Sequence, residues 1–269
     1  MSWATSSRTL GTAALFIVAA LTGCGSAPAN QTLAPATPIP LASSWRAGLF
    51  VGGYGPQGLG PSQTSQDPTS TVTDATQRAL ADVGFRTADF GTGYSVKLLP
   101  QGDTLTQSSL HFCGAEYPSE KNRVARRLVA LYDSTGSRVG LTSDAIKYDT
   151  AAHAAAALAE IRTELSSCMA NTVIKTGTTE LVVNPQPTTS VLLTNLLPEA
   201  ERVVMNELVA EPSTGSSGLI QTLWQQHGPY VVALTFEVDP KTPFTAEDQR
   251  LFNKLGGSIA NRLTANVAG

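Results

Sequence analysis

The chain is poor in the residues on which most site chemistry is built. Its 269 residues include only three Cys and three His. His111 lies two residues before Cys113, but no further Cys or His completes a four-ligand set, so no metal is expected. Charge is sparse too, at 14% of residues against about 25% in a typical domain. The 18 basic and 21 acidic residues leave a net charge of −3, which excludes a strongly basic nucleic-acid-binding chain. Catalytic signatures are absent. There is no G-x-S-x-G elbow, no Ser three residues before a Lys, no H-E-x-x-H, no EF-hand loop and no P-loop. The residues therefore point to a non-enzyme without a cofactor.

Long apolar runs are also missing, with one informative exception. Leu10 to Leu21 (LGTAALFIVAAL) is apolar and follows Arg8. It falls short of the ~20 residues a membrane span needs, and it has the layout of an export signal. Leu21-Thr22-Gly23-Cys24 follows at once and resembles a bacterial lipobox. That resemblance implies cleavage after residue 23 and diacylation of the Cys24 thiol. Residues 1–23 are read as the signal, and Cys24 as the lipidated first residue. With two or three acyl chains the anchoring is firm. The expected place is the extracytoplasmic face of the cell membrane.

From 24 to 70 the chain reads as a tether. Gly25 to Ser70 holds seven Pro and seven Gly, and only Arg46 and Asp67 carry charge. Such composition cannot offset the entropy of ordering. Trp45 to Tyr54 is more apolar, but its three glycines place it in the tether as well.

The folded domain is expected over 71–269. A first helix is read at Asp74 to Val83, capped by Thr73 and stopped by Gly84. Tyr94 to Leu99 reads as a short strand. Lys121 to Tyr132 and Asp144 to Tyr148 read as a hairpin around Ser134-Thr135-Gly136-Ser137. Ala151 to Met169, free of Gly and Pro, reads as a helix. Its Leu158, Ile161, Leu165 and Cys168 share one face. Arg202 to Val209, Leu219 to Gln226 and Tyr230 to Val238 form an expected antiparallel meander. In the last run Tyr230, Val232, Leu234, Phe236 and Val238 alternate with period two. A C-terminal helix follows, with Thr245 and Asp248 as a capping-box-like pair. Gly256-Gly257 interrupts it, marking either a close approach to the sheet or a bend.

Cys113 and Cys168 are the two cysteines left in the domain. In an exported chain they read as a disulfide, which makes this an α+β single domain with one covalent staple. Lys121, Arg123, Arg126 and Arg127 form the one charge cluster, with Glu116 and Glu120 close by. On a regular strand Arg123 and Arg127 share a face while Arg126 points the other way. The cluster is a candidate contact for an anion or lipid headgroup. His111, His153 and His227 read as ordinary surface residues, Glu160 and Glu164 as a solvated helix face, and Gly215-Ser216-Ser217-Gly218 as a flexible stretch.

Taken together, Cys113, Tyr117-Pro118-Ser119-Glu120, Arg123-Val124-Ala125-Arg126-Arg127, Tyr148 and an Ala-rich helix closing on Cys168 resemble the extracellular sensor-domain superfamily of actinobacteria. That superfamily includes the outer domain of a PknH-type mycobacterial membrane kinase and stand-alone lipoproteins. The resemblance spans about 105–265. It implies an antiparallel sheet packed by helices, with an open cleft for an unidentified ligand. The kinase relatives carry two disulfides, and this domain has cysteines for one. The expectation is a surface-anchored lipoprotein with a non-catalytic sensor or ligand-binding domain. Its partners are the membrane, through the lipid, and an unidentified small molecule, lipid or envelope protein. The alternatives are a protein-interaction module of the envelope and an enzyme whose site the sequence does not reveal.

Overall fold

The computed structural model describes residues 74–267, apart from 100, 107, 111, 137, 177–178, 188–194, 239 and 242–243. Cys24, the lipobox, the tether with Trp45 to Tyr54, Thr73 and His111 lie outside the described residues.

Eight strands form one antiparallel sheet: β1 (Tyr94–Leu98), β2 (Arg123–Asp133), β3 (Arg138–Tyr148), β4 (Thr172–Thr176), β5 (Thr179–Gln186), β6 (Arg202–Glu211), β7 (Ser216–His227) and β8 (Tyr230–Val238). Their order across the sheet is β1-β2-β3-β8-β7-β6-β5-β4. Chain neighbours pair antiparallel throughout, apart from β3 and β4, which lie apart in that order. At the centre β8 returns to lie against β3, with Asp144 opposite Ala233. The meander from β4 to β8 is thereby closed onto the β1–β3 meander as one sheet.

Three helices cover it. α1 (Ala75–Val83) and α3 (Ala246–Val267) share one face, and α2 (Ala151–Ser167) packs on the other. The α1/α3 face buries Leu80, Val129, Leu141, Leu223, Leu234, Phe252 and Leu255 together. The α2 face buries Ile146, Tyr148, Leu158, Ile161, Met205, Trp224 and Val231. Burial on both faces explains why β2 and β7 do not alternate cleanly in sequence: Leu128, Val129, Ala130 and Leu131 are all inside, and so are Leu223 and Trp224.

Local chemistry sets the ends. The carboxylate of Asp74 caps α1 by accepting from Gln77 N at 2.8 Å, so Asp74, expected as the first helical residue, is the cap itself. Thr245 and Asp248 cap α3 reciprocally: Thr245 N donates to Asp248 Oδ2 at 2.7 Å and Asp248 N to Thr245 Oγ1 at 3.2 Å. α2 starts at Thr150, whose hydroxyl accepts from His153 N at 3.2 Å. It ends at Cys168, which forms a disulfide with Cys113 across 6.0 Å of Cα separation. Farther along the chain, Arg262 of α3 forks onto buried Asp89, at 2.9 and 3.0 Å, and so ties the C-terminal helix to the loop after α1. No described helix is long and apolar enough to cross a membrane.

Several expectations shift in extent. β3 runs back to Arg138, so the connection from β2, which ends at Asp133, is shorter than the sequence reading had it. Gly215 has φ +70° in the β6–β7 turn, and Ser216 and Ser217 already belong to β7, so that stretch is a hairpin and its first strand residues. The β4–β5 hairpin was not anticipated.

Candidate functional site

The basic cluster is taken apart by the fold. A bulge at Val124 resets the pleat: Arg123 lies opposite Tyr148, and Ala125 opposite Lys147. Arg123 therefore faces the α2 side with Arg126, not the α1 side with Arg127. The shared face expected for Arg123 and Arg127 does not form.

Each arginine is also committed. Arg123 Nη2 sits 2.9 Å from Glu120 Oε2, and its Nη1 donates to Ser109 Oγ at 2.6 Å. Arg126 has no exposed surface. It forks onto Asp144, Nε to Oδ2 at 3.0 Å and Nη2 to Oδ2 at 2.8 Å. Arg127 is buried beneath α1, where Nη1 donates to Gln77 Oε1 at 3.4 Å. Only Lys121 of the four is exposed. The arginines are internal ties, and the structure brings no surface arginine patch together at this place.

The surrounding motif has the same character. Glu120 accepts from the backbone N–H groups of Ser109 and Leu110 at 2.9 and 3.1 Å. Burial nevertheless raises its pKa, against the opposing pull of Arg123 and the two N–H donors. Ser119 Oγ donates to Glu160 Oε2 of α2 at 2.6 Å, so Glu160 is a structural acceptor rather than a free solvated carboxylate. Tyr117 and Tyr148 are held well above the usual phenol pKa, in both cases chiefly by burial. Tyr117 OH donates to Phe112 O at 3.1 Å. Ser109, Glu120 and Arg123 thus form one network within the segment before β2, and Ser119 ties that segment to α2 through Glu160. His153 contacts Asp149 at 2.6 Å and His227 contacts Glu201 at 2.9 Å, each through Nδ1. The His153 hydrogen bond is the main cause of a lowered Asp149 pKa.

A concave site lies elsewhere, on the outer flank of α3. Here a groove of about 490 Å³ runs between α3 and the segment 195–197 that leads into β6. Asn253, Lys254, Ser258 and Asn261 line one wall, and Asn195 and Leu197 the other. The glycine pair makes this geometry. A Cβ on Gly256 would fall 2.7 Å from both Leu196 Cδ2 and Leu223 Cδ2, and a Cβ on Gly257 only 3.2 Å from Asn195 O. Bare backbone therefore lets the helix sit close to both sheet and loop, which resolves the sequence alternatives in favour of close approach. Asn195 holds the loop in a left-handed turn, φ +63°.

Gln225 of β7 joins the two walls. Its side chain is buried at 1% exposure. Its Oε1 accepts from Leu197 N at 3.2 Å, and its Nε2 donates to Gly256 O at 2.9 Å. One buried amide thus fixes helix and loop at a set separation, and the groove is preformed. Sequence reading missed this site. The signals available were the Gly256-Gly257 pair and the run of Asn253, Ser258 and Asn261 on one flank of a helix whose other flank is apolar. Among the described residues no group of three or more His, Cys, Asp or Glu is placed to hold a metal ion.

No family model and no curated protein matches the chain. Among solved structures it is weakly similar to the extracellular domain of PknH from Mycobacterium tuberculosis. That match has 10% identity and a TM-score of 0.36, and covers 62% of this chain and 78% of the other. A likeness at that level leaves the function of this chain open.

Proposed function

We propose that the chain is an exported, lipid-anchored binding protein whose folded domain holds a small polar ligand in the groove beside α3. The observation that carries the binding reading is the Gln225 clamp. It gives a groove of about 490 Å³ two walls fixed by a buried side chain, a volume within the range of small-molecule sites. A preformed site avoids the ordering cost that a loose one incurs on binding. The lining offers amides, two hydroxyls and one ammonium, groups suited to holding a ligand rather than to transferring protons. Export and anchoring rest on Leu21-Thr22-Gly23-Cys24 behind the apolar run. The Cys113–Cys168 disulfide supports an oxidising extracytoplasmic setting.

The test is a melting curve. A ligand that binds only the folded state adds stability as RT ln(1 + [L]/Kd). The full mature chain should melt higher in a dialysable extract of its own cell envelope than in matched buffer. Gln225→Leu, whose groove walls are no longer joined, should lose that increment. An extract that leaves the parent melting temperature unchanged refutes the binding reading.

A further inference from the structure

Building on the binding reading above, we infer that the groove beside α3 takes an uncharged saccharide, with an acetamido-bearing sugar preferred. Its rim carries Asn195, Ser258, Asn261 and Thr264. Each side-chain amide presents two donors and an acceptor, and each hydroxyl can serve as either. Adjacent sugar hydroxyls ask for that alternation of donor and acceptor over a short span. Among the described residues no carboxylate lines the groove and Lys254 is the one charged residue that does, so neither a cationic ligand nor a multiply anionic one is matched. The apolar part of the lining differs: Leu197 and Ala260 are buried, at 7% and 4% exposure. An acetamido group fits this combination, with its N–H and C=O meeting an asparagine amide and its methyl resting on Leu197 and Ala260.

The experiment follows backbone amide resonances of the ¹⁵N-labelled full mature chain titrated with N-acetylglucosamine, glucose, glucuronate and glucosamine. N-acetylglucosamine should give saturable shifts at Gly257, Ser258 and Asn261. Glucose should bind about tenfold more weakly, having lost one hydrogen bond and one buried methyl. The N-acetylglucosamine affinity should be unchanged when salt is raised, because no ion pair is made. Asn261→Leu, at an exposed position, should abolish the shifts and leave the melting temperature unaltered. Gly257→Ala crowds the Asn195 carbonyl and should weaken binding. Tighter binding of glucuronate or glucosamine than of N-acetylglucosamine overturns the ligand class while leaving a ligand groove in place. Absence of saturable shifts in the groove with all four sugars also overturns the saccharide. The envelope-extract melting experiment then decides the binding reading separately.

Discussion

Replacing Gln225 by Leu should destabilise the domain by about 2–4 kcal/mol and open the groove. The side chain makes two hydrogen bonds, to Leu197 N and Gly256 O, each contributing about 1 kcal/mol net. Leucine fills nearly the same volume, so no large cavity follows. It leaves the Leu197 N–H without an acceptor in a buried place, a penalty of ~1–3 kcal/mol that takes the place of that bond's net value. For a domain of this size 1 kcal/mol shifts the melting temperature by about 2–4 °C, so a drop of roughly 5–15 °C is expected by circular dichroism. Gln225→Glu refines the test. The carboxylate keeps an acceptor for Leu197 N–H but sets charge against the Gly256 carbonyl in a buried site. Burial would raise its folded pKa above the unfolded value. Stability is then greatest below the unfolded pKa of about 4.3 and is lost as pH rises through the folded pKa. The Glu variant should therefore approach the parent at low pH and fall away from it toward neutrality. A Leu variant melting within about 2 °C of the parent, or a Glu variant whose deficit does not depend on pH, would refute the clamp.

Four further outcomes are expected. Cys24→Ala should abolish labelling by a palmitate analogue and release the chain from membranes; equal labelling of variant and parent would end the lipoprotein reading. Breaking the Cys113–Cys168 bridge, which closes a separation of 55 residues, should cost about 4 kcal/mol in the chain-entropy model, and a reduced protein with an unchanged denaturation midpoint would contradict it. Asp144→Leu alone should cost about 3–5 kcal/mol, because it leaves Arg126 buried and charged without its fork, whereas Arg126→Met with Asp144→Leu should recover most of the loss; chemical denaturation of the single and double variants decides. Glu120 has a pKa raised chiefly by burial, so its contribution is fully present below the ordinary value of 4.5 and is lost as pH climbs through the raised one. Relative to Glu120→Gln, the parent should lose stability across that window, and parallel pH–stability curves would contradict the assignment.

Much of the fold could be read from local pattern, and the site could not. Tyr230–Val238 matches its period-two run because Tyr230, Val232, Leu234 and Phe236 all enter the core on the α1/α3 face. Thr245 and Asp248 announced α3 through cap chemistry that acts within four residues. The arginines were misplaced because one bulge at Val124 inverts the face of Arg123, and nothing local to Arg123-Val124-Ala125 signals a bulge. The groove was invisible for a deeper reason. Its walls are α3 and the loop at 195–197, and they are joined by Gln225 from a third element, 28 and 31 residues away. A polar residue inside a strand reads as an outward side chain until the pleat shows that it points at a helix.

Native mass spectrometry of the full chain, extracted from its own membrane under mild detergent, tests the central claim most directly. The account predicts a mass that includes the lipid on Cys24 together with a population carrying one retained small molecule, lost from Gln225→Leu. A single species without any retained molecule, alike in parent and variant, would contradict it.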